Sequence, residues 1–162
     1  MQNTKVRPLK KSELPFLQEM LYHAIFVPEG EAKLPKEIIT QPDLAKYIAN
    51  FGEGNDFCLV ADHNDKTVGA IWIRTFTSAN KGYGFIDGNT PELSIAVMEN
   101  YQNKGIGTQL LLAMLTHLKQ KPFKQVSLSV DKANYAYAFY QKHGFTTYST
   151  ADKSVIMVRL LQ

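Results

Sequence analysis

Between Glu92 and Leu118 the chain reads ELSIAVMENYQNKGIGTQLLLAMLTHL, and its chemistry gathers in Gln102-Asn103-Lys104-Gly105-Ile106-Gly107. A polar turn with two glycines runs here into a helix. The first turn of any helix leaves backbone N–H groups without intrahelical acceptors, and the helix dipole puts partial positive charge at the same end. Gly105 and Gly107 remove side chains where an anion must come close to the backbone. Thr108 adds a hydroxyl and Lys104 a positive charge. Such a place suits a phosphate or pyrophosphate, which gains roughly 0.3–1 kcal/mol when exposed and up to about 2 when partly buried. A plain strand-to-helix turn would use Gly105 in the same way.

The elements that must position this loop are legible from periodicity. Ile106, Leu110, Leu111, Met114, Leu115 and Leu118 repeat at helical spacing, which predicts a helix over 104–119. The strand Glu92–Met98 precedes it. Gln125–Val130 alternates apolar and polar residues as a strand does, and a helix over Ala133–His143 follows, closed by Gly144 at the helix C-terminus. Upstream, Thr4–Leu9 reads as a first strand. Ser12 caps a helix that has Pro15 in its first turn and runs to Ile25. Phe26–Pro42 is a proline-containing loop with a helical turn near Pro35–Ile39, and Asp43–Phe51 is a second helix. Strands follow at Asp56–Asp62 and Thr67–Phe76, joined by an Asn64-Asp65-Lys66 hairpin turn. Thr77–Thr90 is a loop with a short strand at Tyr83–Ile86, and strands at Phe145–Ser149 and Ser154–Leu160 end the chain. This order predicts a mixed α/β fold: one central, mostly antiparallel sheet of about six to seven strands flanked by about four helices.

Two segments together carry a family resemblance. Gln102, Gly105 and Gly107 after the strand Ile95-Ala96-Val97 fit Q/R-x-x-G-x-G/A, and Asn134 to Phe145 reads N-x-A-x-A-F-Y-x-K-x-G-F after the next strand. In both respects, and in the distance between them, the chain resembles the GCN5-related N-acetyltransferases. One departure is Glu99, where family members commonly have proline; that residue only pre-shapes the turn. The resemblance implies transfer of an acetyl group from acetyl-CoA to a primary amine of a small molecule or peptide, by direct attack in a ternary complex. It implies a pyrophosphate on the backbone of Asn103, Lys104, Gly105, Ile106, Gly107 and Thr108, and a pantetheine arm paired with Ile95, Ala96 and Val97 where two strands splay apart. The family places a bulge in that strand, and Met98 is the nearest position for it.

The resemblance also assigns roles. The Val97 N–H would polarise the thioester carbonyl. Tyr140 would protonate the departing thiolate, a task that suits a phenol with an ordinary pKa near 10. Asn134 would bond a pantetheine amide, and Lys142 a phosphate of CoA. Glu92 would be the general base, with Asp87 as the fallback. Each residue also has a plainer reading: Tyr140 as a core aromatic, Asn134 as a helix cap, Lys142 as a solvated charge, Glu92 as a strand residue. A non-catalytic acyl-CoA sensor of the same fold is the alternative function. Phe26, Glu29, Glu31, Tyr83, Phe85 and Asp87 are candidates for meeting a cationic amine.

Composition bounds the rest. The 162 residues suffice for one domain spanning 1–162 with a real core, 44% of them are hydrophobic, and the net charge of +3 is too small to argue for nucleic acid. No apolar run approaches the roughly 20 residues of a membrane span, and MQNTKVRPLKKSEL lacks an apolar signal core. The single cysteine, Cys58, reads as a packed strand thiol and fits a cytoplasmic protein. His23, His63, His117 and His143 lack metal-ligand spacing, so no metal is expected. Trp72 and Arg74 share a strand face and could line an acceptor pocket. A monomer or homodimer is expected.

Overall fold

The structure is a computed structural model and describes residues 3–162. In chain order its main elements are β1 (Thr4–Pro8), α1 (Leu14–Ala24), α2 (Pro42–Ala45), β2 (Phe57–His63), β3 (Lys66–Arg74), β4 (Glu92–Val97), α3 (Ile106–Lys119), β5 (Gln125–Asp131), α4 (Ala136–Lys142), β6 (Thr146–Thr150) and β7 (Ser154–Leu160). The seven strands form one sheet in the order β1-β2-β3-β4-β5-β7-β6. Every neighbouring pair is antiparallel except β4 and β5. Those two run parallel and share a single registered pair, Glu92 opposite Ser127. They meet at their N-terminal ends and then part, which leaves a V-shaped fork open towards Val97 and Asp131.

Strand alternation gives the sheet two apolar faces. On one, Ile71, Ile73, Leu93, Val126 and Leu128 pack against Leu110, Leu111, Met114 and Leu118 of α3. On the other, Val60, Ala70, Trp72 and Ala96 meet Leu17, Met20 and Leu21 of α1 and Tyr47 beyond α2. Each fully buried Leu or Met contributes roughly 1.5–3 kcal/mol, so α3 is fixed mainly by its packed face. The position of its N-terminus at the mouth of the fork follows from that.

Several expected boundaries are corrected by local hydrogen bonding. The helix expected from Lys104 begins at Ile106, because Gly105 stands in front of it as a left-handed cap residue at φ 81°. The helix expected over Asp43–Phe51 is α-helical only over Pro42–Ala45; turns carry the chain on to Phe51, with Asn50 and Gly52 at positive φ. The helix expected from Ala133 starts at Ala136. There the Asp131 and Asn134 carboxyl and amide oxygens accept the N–H groups of Ala133 (2.8 Å) and Ala136 (2.9 Å), and so hold the chain in side-chain-closed turns instead of helix. Ser12 lies in a short 3-10 turn, and Glu13 is the residue that precedes α1. The Glu13 carboxylate accepts two hydrogen bonds from Arg7, each 2.8 Å long. Tyr83–Ile86 forms no strand. The bulge expected near Met98 is also absent: β3 and β4 pair in unbroken register from Arg74/Glu92 to Gly69/Val97, and the Met98 N–H donates to the Val68 carbonyl at 2.8 Å.

Candidate active site in the fork between two parallel strands

The backbone edge of β4 follows from its pairing. In an antiparallel ladder, residues that exchange hydrogen bonds alternate with residues whose N–H and C=O face the other way. Met98 bonds back to Val68, so Ala96 and Ser94 also point their backbone groups at β3. Ile95 and Val97 turn theirs towards β5, into the fork. On the opposite arm the Ser127 N–H donates to the Pro91 carbonyl at 3.0 Å, which closes the root of the V. The two arms are bridged at the mouth by side chains: Gln102 Nε2 donates to the Val97 carbonyl (3.0 Å), and the Tyr135 hydroxyl donates to Gln102 Oε1 (3.0 Å).

Beyond Gln102 the chain turns into α3 through two left-handed residues, Asn103 (φ 62°) and Gly105. Gly105 has open space where a Cβ would stand, so the backbone conformation, and not crowding, calls for glycine there. No backbone acceptor takes the N–H groups of Asn103 to Thr108 among the described residues; the ladder starts with Gln109 donating to the Gly105 carbonyl at 3.1 Å. Lys104 is exposed, while Gly107 and Thr108 are half-buried in the first turn of the helix.

Tyr140 projects from α4 into the core beside Phe139 and Phe145, at 7% exposure. Burial first, and the neighbouring Tyr135 phenol second, push its hydroxyl well above the usual range. It therefore stays protonated at any working pH. Every buried side-chain oxygen among the described residues has a hydrogen-bond partner. Asn134 uses its Oδ1 to cap Ala136, which leaves its amide N–H group to donate elsewhere. Lys142 is exposed at the far end of α4.

Glu92 lies at the root of the fork on the α1 face. It is 5% exposed, and burial pushes its carboxyl up to about 7, against hydrogen bonds from Tyr47 and the Gly84 N–H and the charge of Lys46, all of which pull it down. The Tyr47 hydroxyl donates to Glu92 Oε2 and accepts from the Tyr83 N–H at 2.7 Å. The Gly84 N–H donates to Glu92 Oε1 at 3.1 Å, and the Gly84 carbonyl accepts from Ser127 Oγ at 2.7 Å. A Cβ on Gly84 would lie 2.8 Å from the Leu128 carbonyl carbon and 3.0 Å from the Ser129 nitrogen. Only glycine lets the 82–85 loop settle onto both arms of the fork.

Other candidates fall elsewhere. Trp72 donates through Nε1 to the Tyr47 carbonyl (3.2 Å), and Arg74 spans Asp56 and the Lys46 carbonyl (2.7 Å each). Both brace the wall that carries Tyr47. Phe85 and Asp87 line an open depression of about 570 Å³ with Phe76 and Thr77, while Glu29 and Glu31 are exposed. Cys58 is buried with its thiol pushed up to about 12 by burial. Among the described residues no three His, Cys, Asp or Glu side chains gather as metal ligands, and no helix is long and apolar enough to cross a membrane. The sequence reading missed Tyr47, Tyr135 and the role of the 82–85 loop. No motif flags them; each acts through a contact 8 to 45 residues away along the chain.

Comparison with known proteins agrees with this geometry. No curated protein matched the sequence. Among solved structures, the PaiA N-acetyltransferase of Thermoplasma acidophilum in complex with coenzyme A superposes with a TM-score of 0.70 at 20% identity, over 98% of this chain and 99% of that one. YncA of Salmonella typhimurium, a putative acetyltransferase with its cofactor acetyl-CoA, gives 0.70 at 20% identity over 99% and 95%. The ribosomal-protein-S18-alanine N-acetyltransferase of Escherichia coli gives 0.67 at 16% over 99% and 95%. These likenesses establish a shared fold. The family model for the acetyltransferase (GNAT) family matches residues 19–145, most of the chain and both arms of the fork, and this chain therefore belongs to the GNAT acetyltransferase family.

Proposed function

We propose that this protein transfers the acetyl group of acetyl-CoA to a primary amine on a small molecule or peptide, by direct attack within a ternary complex. The observation that carries the reading is the fork: an unpaired β4 edge at Ile95 and Val97 leads into a turn whose N–H groups, from Asn103 to Thr108, lack backbone acceptors. An extended pantetheine can complete the first, and a pyrophosphate the second. Acetyl-CoA supplies an activated thioester; the remaining work belongs to the chain.

The Val97 N–H, on a strand held by the β3–β4 ladder, stabilises negative charge on the carbonyl oxygen as the amine attacks; donors of this kind contribute roughly 10²–10³-fold. Glu92 accepts the proton that the ammonium must lose. Five residue steps along the strand lead from it to Val97, about 16 Å along an extended chain, so the proton travels through bridging water. Tyr140, protonated, returns a proton to the thiolate as the C–N bond forms and the C–S bond breaks. Gln102, which Tyr135 holds, must release the Val97 carbonyl before that edge can pair with the pantetheine. The reading is tested with [1-¹³C]acetyl-CoA and a panel of small amines, amino acids, aminoglycosides and N-terminal peptides, scored by mass for acetylated product. Turnover of one class supports it. Tight acetyl-CoA binding with no product across the panel turns the reading to a sensor.

A further inference from the structure

We infer that Tyr47 is the positioning residue of the general base, holding the Glu92 carboxylate at the root of the fork through its hydroxyl and coupling it to the 82–85 loop. The inference rests on the reading of Glu92 as base and adds to it a residue from a part of the chain with no recognisable motif. The phenol is 7% exposed and fully engaged: it donates to Glu92 Oε2 and accepts the Tyr83 N–H. Its backbone carbonyl accepts from Trp72 Nε1, and the preceding carbonyl from Arg74 Nη1, so the segment after α2 is clamped to β3 on both sides of the ring. The ring stacks on Tyr83 at 6.3 Å and meets Phe76 edge-on at 5.1 Å. Its hydroxyl consequently has one available direction for its proton, towards Glu92.

A carboxylate with Oε1 held by the Gly84 N–H and Oε2 by Tyr47 has a fixed orientation and two donors that favour its charged form. The other groups facing it do less. Lys46 on the Tyr47 segment is 3.4 Å from Asp43, Arg74 opposite on β3 is committed to Asp56, and β5 presents only the Ser127 hydroxyl, which is turned to Gly84. Burial raises the Tyr47 phenol far above its usual range, with the Glu92 charge adding to the effect. The tyrosine therefore remains the donor throughout the pH range in which Glu92 exchanges its proton. It sets when Glu92 becomes a base; it does not become one itself.

The experiment follows the Glu92 carboxyl directly by ¹³C NMR titration of [δ-¹³C]glutamate-labelled protein, with the resonance assigned by its loss in Glu92→Gln. Tyr47→Phe removes one donor to a charged acceptor, so the Glu92 midpoint should rise by about one pH unit or more, and the acid limb of turnover should rise with it. Replacing Tyr47 by 3-fluorotyrosine keeps ring, packing and hydroxyl but strengthens the donor, and should move both downwards. This second variant retains the fold even if Tyr47→Phe does not. An unchanged midpoint with the fluorinated residue overturns the inference. Failure of the base reading looks different: Glu92→Gln then keeps the wild-type acid limb, whatever Tyr47 does to the carboxyl's titration.

Discussion

The burial of Glu92 predicts a specific pH dependence of stability, and Glu92→Gln isolates it. The folded state holds this carboxyl at about 7, against 4.5 for the unperturbed group. A raised folded value means that the folded protein binds the proton more tightly than the unfolded chain. Stability from this group is thus fully present below the unfolded value and is lost as the pH rises through 7. At about 1.4 kcal/mol per pH unit, the penalty is under about 1 kcal/mol at pH 5 and roughly 3 kcal/mol at pH 8. Glutamine does not titrate, so the wild-type stability should fall relative to Glu92→Gln by roughly 2–3 kcal/mol between those two pH values. For a chain of this length that corresponds to about 4–12 °C in Tm.

The comparison is made between two proteins at each pH, which removes the other titrating groups. Burial lowers His117 and His143, which makes the fold more stable as the pH rises, opposite to Glu92, and they act in the same window. Glu13 is held down at about 2 by Arg7, and Asp62 is also lowered by Arg7; both lose stability only at acid pH below this window. All four are present in both proteins. Any fixed effect of placing an amide opposite the Tyr47 hydroxyl cancels too, because only the change with pH is read. The assay is thermal unfolding followed by circular dichroism from pH 5 to pH 8. Curves of Tm against pH that run parallel for the two proteins would refute the reasoning: Glu92 would then be an ordinary carboxylate, with no special readiness to act as a base near neutrality.

Three further outcomes are expected. Gly105→Asp puts negative charge at the start of α3, and calorimetry should show CoA binding weakened at least about tenfold, while the left-handed backbone at this position costs the variant roughly 1–2 kcal/mol of stability. Tyr140→Phe should lower turnover by about 10²-fold or more with the affinity for acetyl-CoA nearly unchanged, as expected when a proton donor acts only in the transition state; wild-type rates would return Tyr140 to packing. In the active enzyme, rate against pH should fall on the acid side of about 7, and Glu92→Gln should abolish that limb.

What the sequence made legible follows from the range of each interaction. The α3 stripe from Ile106 to Leu118 is local periodicity, and all six expected residues are buried. The loop before it was readable because a left-handed turn and a helix start depend on neighbours only. The fork itself needed the family resemblance, since no property of Glu92–Val97 alone says that its parallel partner leaves after one pair. The Glu92 environment was not legible at all. Tyr47 lies 45 residues from the carboxylate it holds, in a segment read as regular helix. Gly84 reads as loop punctuation until Leu128 and Ser129 are found against it. Asn134 shows the converse: its place in a motif suggested a ligand contact, and the structure shows the plainer reading, a cap on Ala136 at the start of α4.

The central claim is that the fork and the turn before α3 form one acetyl-CoA site. Calorimetric titration of the purified protein with acetyl-CoA, with ATP and NAD as controls, tests it most directly. Selective binding with a dissociation constant on the order of micromolar is predicted. Absence of binding at millimolar acetyl-CoA, or equal binding of all three, would contradict it.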